Sequence, residues 1–392
     1  MPKNLNLVHC VDAEEWNDSN VMDSTDDLNF RYASEASFDL PLSSATLFLI
    51  SRGENLGGAV RVVTSEEQAD DSAKVLISLR YYEEKVRDWT KVCLLSRDED
   101  EDGVGVFTPL WRGGRRSDRR LHTVNYQITV TLPALVSEAS PLQIKHLETD
   151  LPNTAHRLED LSNVSFDRIS LRATNGPIDL EVRLTALLRY LLLTEMMVLQ
   201  SLTTQSSSIA TTNGHITGTL SSSLLSRLTA TNGPIKVRVN LTSTEQSNAT
   251  FVAHTTNGPI QADISLISTA GTGGTFHVST TTTNSPLSVK FPTSPVGSTL
   301  HLEAKTTNSP AVVSLDSAYE GSFSLLTSRY FHPRLHVNEE VEDPSGKGRQ
   351  RRVDVKEVKR GEVYGDVLWG DEPQAKGAVI VSTTNSPVSL NV

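Results

Sequence analysis

The chain has 392 residues and a formal net charge of −11, a balance that repels nucleic acid and anionic lipid and leaves neither as a default partner. Its two cysteines, Cys10 and Cys93, exclude a disulfide framework and any cysteine-rich metal site, and such sparing use suits a reducing compartment. The opening MPKNLNLVHCVDAEEW lacks an apolar core of signal-peptide length. The one Leu-rich stretch, residues 184–199, carries Arg189 and Glu195 and falls short of the ~20 apolar residues a spanning helix needs. The expectation is a cytoplasmic chain with no membrane span.

Residues 1–40 are acidic and poor in periodic apolar positions, which reads as a disordered N-terminus. From residue 41 to 140 the text changes to a β-strand region. LFLISRG, AVRVV, KVLISLRYY, KVCLLS and VNYQITVTLP are short, β-branched segments parted by Gly-rich or charged loops. In the last, Val124, Tyr126, Ile128, Val130 and Leu132 alternate with polar residues, so one face belongs to a core. Between these segments lie the acidic run Asp98 to Asp102 and the basic run Arg112 to Arg120. Clustered charge of this kind reads first as solvated loop.

Residues 141–392 carry a repeat. Asn175, Asn213, Asn232, Asn257, Asn284, Asn308 and Asn385 each follow a threonine: Thr174, Thr212, Thr231, Thr256, Thr283, Thr307 and Thr384. Each pair opens a TNGPI- or TNSP-type corner, and repetition on this scale marks a solenoid or propeller. Alternation runs into each corner, as in Phe251, Ala253, Thr255, Asn257, and resumes after it with Ile260, Ala262 and Ile264, so parity places the asparagine on the inward face. Asn-Gly usually signals a type I′ hairpin. Ser285, Ser309 and Ser386 replace the glycine, however, and a following proline favours extended backbone, so the bend falls to the asparagine, through left-handed backbone or through its side-chain amide. Strand, corner, strand is the unit of a β-solenoid, in which inward asparagines would form a hydrogen-bonded ladder and outward threonines a second one. The expected fold is therefore all-β: a β-helix-like solenoid array with an N-terminal β-strand-rich region.

Marker spacings of 38, 19, 25, 27, 24 and 77 residues demand insertions at 182–200 and 327–378. The first, VRLTALLRYLLLTEMMVLQ, is apolar around a whole helix, unlike the strands it interrupts, and its removal would reduce the first interval to 19, equal to the second. It reads as a partner-binding helix or as translated intron. Within the second, VDVKEV and EVYGDVLW read as strands beyond a charged loop.

The row of TNGPI/TNSP corners, PLQIKHLETDLP (residues 141–152) and VEDPSGKGRQRR (residues 341–352) together resemble a basidiomycete fungal family of unknown function. Its repeats are similar to the bacterial "putative adhesin" domain, a β-solenoid-like module. The resemblance covers residues 40–392. It implies a fold and no chemistry.

No HExxH, GxSxG, CxxC or Walker pattern is present, and no cofactor is expected. His332 and His336 share a strand-like face, but two imidazoles lack the three or four ligands of a metal site. The outward column four residues after each marker reads Asp179, Thr217, Lys236, Gln261, Ser288, Val312, Ser389, with a single carboxylate where a lyase or glycosidase would gather several. Six residues after the markers it reads Glu181, Thr219, Arg238, Asp263, Lys290, Ser314, Asn391, and stacked coils would set Asp263 between two bases. Three readings follow. The first is a non-catalytic structural or interaction module with a protein or glycan partner. The second is a glycan or surface-polymer binding module, which calls for outward aromatics that the repeat scarcely has. The third is a β-helix enzyme with a site where the two β regions join.

Overall fold

The structure, a computed structural model, describes residues 5–12, 14–20, 30–69, 71–98, 100–110, 121–134, 141–159, 161–180, 202–244, 246–338, 340–370 and 377–392. The chain divides into two compact units, Met1–Leu202 and Thr203–Val392. The basic run 112–120 and the segment 182–200 lie outside the described residues.

In the first unit two parallel ladders run side by side. One stacks Glu101–Phe107, Thr46–Arg52, Leu142–Asp150 and Val164–Arg172. The other stacks Val124–Pro133, Leu56–Ser65, Thr154–Leu158 and Ile178–Leu180. Parallel stacking, expected from residue 141, thus begins with the strands at 46 and 56. One of these strands, EDGVGVF, carries no alternation in its sequence, because its acids and glycines hide a buried run from Gly103 to Val106. It pairs antiparallel with Lys91–Arg97, and Asp98 and Asp100 between the two strands lie in left-handed backbone at φ 55° and 67°.

The N-terminal residues correct the expectation of disorder. Leu5–Cys10 pairs antiparallel with Lys91–Arg97, Asn17–Asn20 with Tyr32–Pro41, and Tyr32–Pro41 with Ser72–Tyr81. In the last pair Ala36, Phe38 and Leu40 face the core, alternating with Ser37 and Asp39. Period-2 burial prevails there over the acidic composition. Cys10 and Cys93 are opposite each other and form a disulfide, which corrects the reading of reduced cysteines and removes its support for a cytoplasmic setting.

The second unit repeats the two-ladder plan. Ile216, Ile235, Ile260, Leu287, Ala311 and Val388 stack rung on rung as one buried column. Each is the first strand residue after its corner. On the second ladder Phe251, Val278, Leu302, Val379 and Phe323 do the same. β-Branched and large side chains on the inward face supply most of the stabilising burial, at about 25 cal/mol per Å² of apolar surface.

The chain does not build this unit in sequence order. After Ala311–Ser314 it runs on to Gly321–Leu326 and Arg334–His336, makes the antiparallel hairpin Arg351–Lys359 and Glu362–Trp369, and then returns. Gly377–Ser382 lies between Thr299–Lys305 and Gly321–Leu326. Val388–Asn391 lies between Ala311–Ser314 and Arg334–His336. The segment 327–378 therefore supplies a closing coil strand and a terminal hairpin, and the 77-residue interval separates two neighbouring rungs.

One buried polar network sits in the first unit. The His156 ring contacts Thr149 Oγ1 at 2.8 Å and the Thr154 carbonyl at 3.1 Å. Thr154 also bonds Tyr126, whose hydroxyl donates to Ser51 at 3.0 Å. Burial pushes the His156 imidazole down to about 4, so the native state holds it neutral while an unfolded chain would protonate it near 6.5. Its stabilising contribution is present above that value and is lost as pH falls from there toward 4. Denaturant titrations at pH 7 and pH 4 are expected to differ by on the order of 3 kcal/mol from this group alone. His156→Gln should lack that part of the difference, and an identical pH slope in the variant would refute the assignment.

Candidate functional site

The corners are built alike. At Thr255 to Ile260 the alternation holds through Thr255, which is fully buried, and then breaks: Asn257 is exposed and Gly258 buried. The asparagine is therefore outward, correcting the inward placement that parity gave. The backbone shows why. The consecutive N–H groups of Thr256 and Asn257 both donate to the Thr231 carbonyl one coil away, at 3.2 and 2.8 Å. Successive N–H groups of an extended strand point to opposite sides, so this convergence requires a bend that carries parity with it. The same paired donation recurs onto the carbonyls of Thr212, Thr256, Thr283 and Thr307, and in the first unit Thr174 and Asn175 donate to Pro152.

No marker asparagine has positive φ; the non-glycine residues that do are Asn55, Asp98 and Asp100 among those described. Left-handed backbone is thus not what makes the bend. The amides instead form a chain along the surface, Asn232 to Asn213, Asn257 to Asn232 and Asn284 to Asn257 at 2.7 Å each, Asn308 to Asn284 at 2.8 Å and Asn385 to Asn308 at 2.7 Å. In the first unit Asn175 donates to Asn153 at 2.6 Å. Asn153, preceded by proline, escapes a search for Thr-Asn.

The glycine is needed for close approach: a Cβ on Gly258 would lie 1.9 Å from the Gly233 carbonyl oxygen. In later coils Ser285, Ser309 and Ser386 use that position to donate to the carbonyls of Asn257, Asn284 and Asn308 at 2.5, 2.9 and 3.0 Å. Thr174, Thr212, Thr231, Thr256, Thr283, Thr307 and Thr384 act here through backbone groups. The hydroxyls that matter belong to the threonine one position earlier. Thr255 Oγ1 accepts from the Gly258 N–H at 3.2 Å and donates to the Gly233 carbonyl at 3.3 Å, and Thr282, Thr306 and Thr383 make the equivalent donation. The motif's first threonine was the available signal.

Outward columns keep the register that the corners imply. Lys236, Gln261, Ser288, Val312 and Ser389 are successive partners, and Arg238 pairs with Asp263 and Asp263 with Lys290. Among the described residues neither basic group closes to an ion pair with Asp263, whose Oδ1 is buried without a hydrogen bond. His336 ends an exposed edge strand.

On the other ladder, Thr250, His277, His301 and Ala378 form one outward column and Val252, Ser279, Glu303 and Ile380 the next. Between them runs a groove of about 300 Å³ whose lining includes His277, His301, Ser279, Glu303, Ala378 and Ile380. The two imidazoles stack with centroids 5.0 Å apart and planes at 14°. Burial, and after it the neighbouring His301, lower the His277 pKa, so His277 favours the neutral state in which its ring offers a donor and an acceptor. In the first unit two carboxylates share one guanidinium: Arg97 holds Glu148 through two nitrogens at 2.7 and 3.1 Å and Glu101 at 2.5 Å.

No family model and no curated protein matches this sequence. Among solved structures, the chain is similar to a "putative adhesin" from Parabacteroides distasonis, with 9% identity over 72% of this chain and 90% of that one, at a TM-score of 0.39. A "putative adhesin" from Bacteroides fragilis is 10% identical over 72% and 95% of the two chains, at a TM-score of 0.32. A "putative cell adhesion protein" from Clostridium sporogenes is 7% identical over 92% and 99%, at 0.21. At these values no ligand or role transfers.

The corner geometry ranks two substitutions. Thr255→Val leaves the buried Gly258 N–H and Gly233 carbonyl without that hydroxyl and is expected to cost about 1–3 kcal/mol. Asn257→Leu frees amides that water can reach, at a cost at or below about 1 kcal/mol. Equilibrium denaturation of both variants checks the order, and a costlier Asn257→Leu would reverse the assignment.

Proposed function

We propose that the chain is a non-catalytic β-solenoid that serves as a structural or interaction module, with the corners as its spine and the outward columns as its recognition surface. The observation that carries this reading is the unbroken amide chain from Asn213 to Asn385. It marks six successive corners held at one register, and with it the spacing of the outward side chains on the strands between them. A surface held in this way binds without first paying to order itself. The Cys10–Cys93 bond adds that an oxidising setting suits the protein.

A second reading, a module for a glycan or surface polymer, is favoured by the groove beside His277 and His301. The enzyme reading would need several carboxylates free to exchange protons at one place; Glu101 and Glu148 in the first unit are bound by Arg97, and Glu303 is the single carboxylate lining the groove.

Immobilised protein challenged with soluble proteins and with insoluble cell-wall and matrix polysaccharides separates the readings. Saturable retention of one class without product release is expected. Release of new reducing ends or oligosaccharides from a retained polymer would place the protein among enzymes.

A further inference from the structure

We propose that the groove between the His277–His301 stack and Glu303 binds one or two rings of an uncharged glycan lying parallel to the solenoid axis. This deepens the interaction-module reading and rests on it.

Shape comes first. The groove runs across successive parallel strands, so its long direction follows the stacking axis, and its rungs recur at about 4.8 Å. Its volume, about 300 Å³, stands at the small end of ligand sites and limits the occupant to a short segment. A linear polysaccharide threaded along the axis would present successive rings to successive rungs.

Chemistry decides the class. Along one wall stand the Thr250 hydroxyl and two imidazoles; along the other stand the Ser279 hydroxyl and the Glu303 carboxylate. Glu303 differs from Glu101 and Glu148 in having no ion pair or hydrogen bond among the described residues. A free carboxylate accepts two hydrogen bonds side by side, the arrangement that vicinal hydroxyls of a pyranose supply. The imidazole stack ends at His301. One face of that ring is covered by His277, whereas the next rung carries only Ala378, a methyl too small to cover the other face. Beside Ala378 lies the exposed side chain of Ile380. An open ring face, a methyl and an aliphatic side chain form a small apolar platform for the C–H face of a sugar, with hydroxyl partners at its margin. The few aromatics of the repeat are compensated here by the two in-register histidines.

Charge excludes the acidic alternative. The groove holds a carboxylate, and the chain as a whole carries a net charge of −11, so a uronate or sulfated glycan would meet repulsion.

The test is titration of the full chain with trimers of β-1,4-linked glucose and of β-1,4-linked N-acetylglucosamine, and with a trimer of an uronic acid, followed through the imidazole resonances of His277 and His301. Saturable shifts with one of the neutral trimers are expected. Glu303→Gln and His301→Ala should each weaken binding about tenfold, the former on the scale of one hydrogen bond to a charged group. Lys74→Ala, exposed on the strand Ser72–Tyr81 of the first unit, should leave binding unchanged. Two results would overturn the proposal: neither neutral trimer shifting the imidazoles, or binding that Glu303→Gln and His301→Ala leave intact. Preference for the uronate trimer would overturn it equally. If the immobilised protein still retains a partner in any of these cases, the groove fails and the module reading stands; if retention is also lost, both fail.

Discussion

The corners at Asn175, Asn232, Asn257, Asn284, Asn308 and Asn385 depend on one interaction, two consecutive N–H groups meeting a single carbonyl of the neighbouring coil. A parallel stack of strands has no intrinsic reason to stay in one register, since a slip by two residues keeps every side chain on its proper face. The double donation removes that freedom, because it can form only where the backbone bends, and the bend occurs once per coil. The amide chain, the seryl and threonyl hydroxyls and the close glycine contacts all gather around this point. They are consequences of a backbone geometry that brings successive corners to hydrogen-bonding distance.

Such a corner explains a composition that would look unpromising for a core. The inward threonines are buried polar groups, and burial without partners would be costly. Thr255 instead accepts from its own corner and donates to the preceding coil, and Thr282, Thr306 and Thr383 make the same donation, so the cost is offset where it arises. Ala230, buried at the equivalent place, shows that the position must be small and that the hydroxyl is an addition to the fold and not its condition. Where serine replaces glycine, the hydroxyl again finds a carbonyl one coil away.

Much of this architecture was legible in the sequence, and the failures have particular causes. Alternation located most strands, because period-2 burial is a local property, and the spacing of Thr-Asn located the corners. The alternation also misled: counting from Phe251 through Asn257 gave the asparagine an inward place, since parity counts residues and cannot register a bend. Acidic composition hid the strand holding Ala36, Phe38 and Leu40. The groove could not be anticipated, for His277 and His301 are unremarkable until stacking makes them neighbours across 24 residues of sequence. Asn153 and the first threonine of each corner were visible as letters, but their partners lie in other coils.

The order of assembly links the fold to its surface. The strand Gly377–Ser382 enters between two strands that precede it in the chain, so the second ladder has a gap until the C-terminal residues arrive. Contacts of this long sequence separation form late, because the loop they close must be ordered before they repay it. Ala378 and Ile380, which bound the groove beyond His301, belong to that inserted strand. The same insertion sets Asn385 against Asn308 and so completes the amide chain. The groove beyond His301 and the last corner contact therefore both depend on the C-terminal coil, and a chain that lacks it lacks that end of the site.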